Sequence, residues 1–122
     1  MSDAEVDAWF DGKLESRAVF DSAREAIEAA GASDMTVGKQ ISFGGKRKFA
    51  WFWLYNVTKA NPSGILHLML AIDERVENPH VRNVEQLSAR RWNHQVVLRT
   101  QADAESAWLR KLIERAHAYG ST

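Results

Sequence analysis

An α+β fold is predicted, with two N-terminal helices, about five mostly antiparallel strands in one sheet, and a C-terminal helix packed on the sheet. Three observations predict it. Apolar residues recur at helical spacing at both ends of the chain, the middle alternates with a period of two, and Gly, Pro and Asn punctuate the change between them. A chain of 122 residues is long enough for one hydrophobic core and too short for two, so residues 1–122 are expected to form one domain.

Ser2 followed by Glu5 has capping-box spacing, and Val6, Trp9 and Phe10 then share one side of a short helix ending near Gly12. From Ser16 to Gly31, Phe20, Ala23, Ile27 and Ala30 fall at helical spacing, with Gly31 as the stop. The period then changes. Thr36 to Phe43 is a short β-prone stretch, Gly44 and Gly45 make a turn, and Lys46 to Val57 is a long strand. Lys59 to Gly64, with Asn, Pro, Ser and Gly, reads as a loop. Ile65 to Asp73 alternates cleanly, putting Leu66, Leu68, Leu70 and Ile72 on a core face and Ile65, His67, Met69 and Ala71 on the other. Between Asp73 and Ala89 the pattern weakens: Pro79 marks a loop, and Val81 to Leu87 is a short strand or a turn of helix. Strand character returns over Trp92 to Arg99. Thr100 and Asp103 then open a helix whose Leu109, Leu112, Ile113 and Ala116 make the buried stripe.

With no cysteine, a disulfide framework, a Cys-based zinc site and a thiol nucleophile are all excluded. The longest apolar runs are too short to cross a bilayer, and the N-terminus MSDAEVDAWFDGK lacks the basic start and apolar stretch of a signal peptide, so no membrane partner and a cytoplasmic location are expected. The formal net charge of zero hides a division. Residues 1–35 carry nine acids and three bases, whereas residues 36–99 carry ten bases and four acids. Either the basic middle forms a surface that attracts anions, or the two segments complement each other within the fold.

The stretch KFAWFWLYNV, residues 48–57, raises the sharpest functional question. On a strand, Trp51, Trp53, Tyr55 and Val57 share one face and Phe52, Leu54 and Asn56 the other. The Trp row is either covered core, as in a strand buried on both sides, or a platform on which flat ligands stack while the basic neighbours Lys46, Arg47 and Lys48 hold phosphates. Trp and Tyr also carry polar handles that need partners when buried, which suits a half-open pocket or a protein interface.

Together, DAWFDGK, VGKQISFGGKRKFAWFWL, GILHLMLAI, SARRWNHQVVL and the terminal RAHAYG resemble domain-of-unknown-function family 5655, over about Ala8 to Tyr119. That resemblance implies a compact α+β domain, found as small stand-alone bacterial proteins and as a C-terminal module of larger ones. It brings no established reaction and no catalytic residues. Asp73 to Leu87 departs most from the family's pattern.

The remaining candidates come from the residues themselves. SARRWNHQ places Arg90, Arg91, Trp92 and His94 at the entrance to the fifth strand, where guanidinium groups can hold a phosphate or carboxylate bidentately; alternatively Trp92 packs inward, His94 bonds a neighbour and the arginines are solvated edge charges. His67 lies mid-strand opposite the leucines, and His67 with His94 is the one histidine pair whose placement permits a metal. No HxxxH, HExxH or aspartate-rich loop supports one, so neither metal nor cofactor is expected. The glycines of ISFGGKRK join two strands, unlike a P-loop, and the serines lack a nucleophile-elbow context. Asp73, Glu74 and Glu77 cluster in a polar loop where solvated charge is the ordinary state.

A non-catalytic binding or interaction module using a basic, aromatic sheet face is therefore expected, its ligand-binding residues drawn from Lys46, Lys48, Trp51, Trp53, His67, Arg90, Arg91, Trp92 and His94. One form of it binds nucleic acid or another anionic ligand, although zero net charge is unlike dedicated nucleic-acid binders. The other is a small-molecule pocket or homodimer interface. An enzyme ranks third, because no nucleophile or base can be named.

Overall fold

The structure, a computed structural model, describes residues 2–122. In chain order the elements are α1 (Ser2–Trp9), α2 (Leu14–Ala30), β1 (Asp34–Val37), β2 (Ile41–Gly44), β3 (Lys48–Tyr55), β4 (Ile65–Ile72), β5 (Asn83–Ser88), β6 (Arg91–Leu98), α3 (Gln101–Ala104) and α4 (Ala107–Gly120). The strands form one sheet in the order β1-β2-β3-β4-β6-β5, every neighbouring pair antiparallel. The α+β architecture and its closing helix are as the sequence predicts. The Ser2 side chain, half of the predicted first capping box, lies outside the described residues.

Three elements refine the sequence reading. The described residues form six strands rather than five, because the stretch Thr36 to Phe43 is a hairpin: Gly38, whose N–H donates to the Gln40 carbonyl, turns β1 back as β2. The ambiguous stretch before Leu87 is β5, an edge strand mostly exposed along its length. The last predicted helix is two. Thr100 caps α3 by accepting from the Asp103 amide at 3.1 Å, and Ser106 starts α4 afresh by accepting from the Leu109 amide at 3.4 Å.

Register divides the sheet into two unlike faces. Across the middle, Val37, Ile41, Phe52, Leu68 and Val96 form one row, and Thr36, Ser42, Trp51, Met69, Gln95 and Asn83 the next, on the opposite face. The first face meets the helices. There Phe20 of α2 lies 5.1 Å from Phe52 and 6.3 Å from Phe43, and Phe10 completes the cluster at 5.1 Å from Phe20. Leu109, Leu112, Ile113 and Ala116 of α4 close the same core. At one end of β3 two residues, Phe49 and Ala50, stand opposite Phe43 alone, and this bulge lets both turn into the core. Among the described residues no helix lies on the second face, the usual arrangement of a one-sided antiparallel sheet.

The loop between β3 and β4 follows its turn residues. Asn56 and Gly64 adopt positive φ, 59° and 70°, and the Ser16 hydroxyl of α2 donates to the Ser63 carbonyl at 2.7 Å in a buried site. A Cβ on Gly64 would stand 2.6 Å from Val57 Cγ2 and 3.1 Å from the Tyr55 carbonyl oxygen. Gly64→Ala is expected to lower stability by about 1–2 kcal/mol, the left-handed backbone cost, with steric crowding added. Urea unfolding would measure it, and an unchanged midpoint would contradict the strain.

Candidate functional site

The uncovered face of the sheet gathers the aromatic row. Trp51, Trp53 and Tyr55 of β3 all point there; both tryptophans are half-buried and Tyr55 is 62% exposed. Their neighbours Phe49 and Phe52 are fully buried on the helix side. From Ala50 onward KFAWFWLYNV thus splits by parity into a core half and an open half, while the bulge carries Phe49 to the core side and Lys48 to the open one.

His67 joins this face from β4, opposite Trp53 in register, with its ring 5.3 Å from Trp53 and 5.4 Å from Tyr55. The Gln95 side-chain amide donates to His67 Nδ1 at 3.1 Å, which leaves the proton on Nε2. Burial lowers its pKa below the ordinary histidine value, and the positive charges of Arg82 and Arg99 lower it further. The imidazole is therefore held in its neutral form, with Nε2–H as its free donor. Ile65, Met69 and Val97, all half-buried, fill in around it.

The bases approach the same surface. Register puts Lys48, opposite Gly44, at one end of the open face. Arg91 of β6 reaches over it, its guanidinium carbon 5.2 Å from the Trp51 ring centre and its Nε donating to Asn93 Oδ1 at 3.4 Å. With Nε so engaged and the guanidinium carbon over an indole, the two terminal nitrogens keep their donors for a ligand. Two acids share the face by register, Asp34 and Glu85, and both stand on edge strands.

Charge is segregated between the faces. Arg17 is bound to Asp7 and Asp21, and Arg24 to Asp3 and Glu28, all within the two N-terminal helices. The remaining ion pairs are Arg75 with Glu77 and Arg115 with Glu74. Among the described residues no ion pair joins the acidic segment 1–35 to the basic segment 36–99. The two N-terminal helices pair their own arginines with their own acids, and none of those acids reaches a base of the sheet segment.

The other predicted site residues lie elsewhere. Lys46 sits at the β2–β3 hairpin tip, exposed. Its neighbour Arg47 turns toward α4, donating its amide to the Gly120 carbonyl and placing its guanidinium 4.9 Å from the Tyr119 ring centre. Arg90 lies exposed in the turn between β5 and β6. Trp92 and His94 share a face, but it is the helix side, opposite to Arg91, so the anion site imagined from SARRWNHQ is split by the sheet. His94 is wholly buried; its Nδ1 donates to the Trp92 carbonyl at 3.0 Å and its Nε2 accepts from the Val76 amide at 2.9 Å. The same parity corrects the histidine pair: His67 and His94 point to opposite faces and cannot share a metal. Among the described residues no group of three or more His, Asp or Glu side chains could hold a metal ion, and no helix is long and apolar enough to cross a membrane.

One concavity was not foreseen. A cleft of about 830 Å³ runs along α4 beneath the β4–β5 loop, with Trp108, Leu112, Tyr119 and Val76 among its walls and Lys111 and Asp73 at its rim. Trp108 is stacked by His80 at 4.2 Å between ring centres. Trp108, Leu112, Arg115 and Tyr119 recur at helical spacing in the sequence, so the stripe was visible; the loop that faces it was not.

Comparison with known proteins adds membership and nothing about chemistry. Neither curated proteins nor solved structures yield a match to the chain. The model of one family, described as Domain of unknown function (DUF5655), matches residues 6–120, and the chain belongs to that family.

Proposed function

We propose that the protein is a non-catalytic binding module that captures a polyanion on the open face of its sheet. The observation that carries this reading is the segregation of charge: the two N-terminal helices pair their own arginines with their own acids, while Lys48 and Arg91 stand on the aromatic face by register and by cation–π contact and the positive charges of Arg82 and Arg99 act on its His67. A zero net charge is then no obstacle, because the ligand meets one face and not the sum. A cytoplasmic setting is part of the proposal.

Titrating inorganic polyphosphate while following tryptophan fluorescence across a salt series tests it. Four cations meeting a flexible polyanion predict a log–log salt slope of roughly −3, or about a 50-fold loss of affinity between 50 and 200 mM salt. Replacing Lys48, Arg82 and Arg91 together by Gln is expected to leave the fold intact, because all three lie outside the core, and to remove most of that slope. Absence of binding at low salt, or a slope unmoved by the triple variant, would overturn the proposal.

A second reading is supported by the α4 cleft. Its volume suits a small molecule. Tyr119, only 8% exposed, lines it. The cleft carries both signs of charge, so it does not single out a ligand class as the open face does.

A further inference from the structure

We infer that the polyanion is a single-stranded nucleic acid, read one base per aromatic ring along β3. This rests on the binding-face reading above and names its ligand class.

The spacing of the rings supplies the argument. Trp53 and Tyr55 are two residues apart on one antiparallel strand, so their attachment points are about 6.8 Å apart. Nucleotides in a stacked duplex follow one another at about 3.4 Å. Successive bases can therefore meet successive rings only when the chain is drawn out to about twice its stacked rise. A single strand reaches that extension by unstacking; a duplex keeps its base faces inside the stack and offers only edges. A polyanion without rings gains nothing from Trp53 and Tyr55, and a flat ligand without phosphates gains nothing from the bases around them.

Each group on the face has a role in that arrangement. Tyr55, the most exposed aromatic of the row, and Trp53 beside it are the stacking surfaces. His67, between their rings, presents Nε2–H to a base edge, its tautomer held by Gln95. Trp51 is occupied by Arg91 and is not a stacking surface; it braces the guanidinium whose terminal nitrogens meet a phosphate. Lys48, at the far end of the same strand, stands where the backbone would leave the sheet.

The test compares four probes on the full chain in a salt series: oligothymidylate, oligouridylate, an abasic oligonucleotide of the same length, and a duplex. Oligothymidylate or oligouridylate is expected to bind at least tenfold more tightly than the abasic strand, and the tighter of the two tells whether DNA or RNA is the source of the strand. Trp53→Leu and Tyr55→Ala are each expected to weaken single-strand binding about tenfold with the salt slope unchanged. Arg91→Gln is expected to lower the slope by about one. The abasic strand binding as well as the base-bearing strands would overturn the nucleic-acid assignment and leave the polyanion reading standing. Duplex binding as tight as the single strands would overturn the stacking register in the same way. No binding by any probe at low salt would overturn both.

Discussion

Phe52→Ala is expected to lower the unfolding free energy by about 3–5 kcal/mol, while Trp53→Ala, one residue along the same strand, costs about 1 kcal/mol. Phe52 is fully buried, 5.1 Å from Phe20 and 5.9 Å from Phe43, with Ile41 and Leu68 as its neighbours across the strands. Truncating it removes an aromatic side chain from a packed layer and leaves a cavity that the facing helix cannot fill without moving. A domain of this size has about 5–15 kcal/mol in all, so the variant stands near the limit of folding at ambient temperature. Trp53 has the larger ring but keeps one side in solvent, and its loss removes cross-strand contact with His67 without opening the core. Urea unfolding of the two variants decides between the alternatives left open for KFAWFWLYNV. Equal losses would mean that the tryptophan row is core after all; the predicted inequality would mean that this row contributes little to folding and is free for a ligand.

The same contrast shows which parts of the molecule were legible in the sequence. β4 could be read residue by residue, because one of its faces is packed by helices and strict alternation of Leu with other residues is the imprint of that packing. The same holds for the α2 and α4 stripes. β5 could be read only as a short strand or a turn of helix, since an exposed edge strand is held by its ladder to β6 and NVEQLS has no buried face to mark. The β1–β2 hairpin was hidden for a related reason: its turn at Gly38 is short and lacks the Asn-Gly or Pro signal of a tight turn. Parity within β3 followed from the sequence, but which parity faces the helices did not, because both halves of KFAWFWLYNV are apolar. The candidate site was legible as residue types and not as a surface. Lys48, Trp51, Trp53, His67 and Arg91 share the open face, whereas Trp92 and His94 lie beneath it, and only the register of β6 against β4 separates them.

His94→Leu is expected to cost about 2–4 kcal/mol, for a reason different from cavity formation. The imidazole fills its space while satisfying a donor and an acceptor at once, the Val76 amide on Nε2 and the Trp92 carbonyl on Nδ1. Leucine matches the volume and satisfies neither, leaving two backbone groups short of partners at the root of the β4–β5 loop. Glutamine, which can both accept and donate, is expected to recover part of the loss. Burial holds the His94 pKa below its ordinary value, with Arg115 and Arg75 adding to the effect and the backbone hydrogen bonds opposing it. The folded state therefore binds this proton less readily than the unfolded chain does. Its contribution is fully present above the unfolded histidine pKa of about 6.5 and declines as pH falls below that value. His67 is shifted in the same direction, so His94→Gln should flatten the acid side of the stability profile without abolishing its slope. A protonated Nε2 can no longer accept from Val76, whose side chain is part of the α4 cleft wall. Hydrogen exchange at the Val76 amide, relative to intrinsic rates, should therefore lose protection as the pH drops below about 6.5, while amides paired between β3 and β4 keep theirs. Protection at Val76 that is independent of pH would show that this loop is held by the Arg115–Glu74 bridge and the His80–Trp108 stack, and that His94 only fills space.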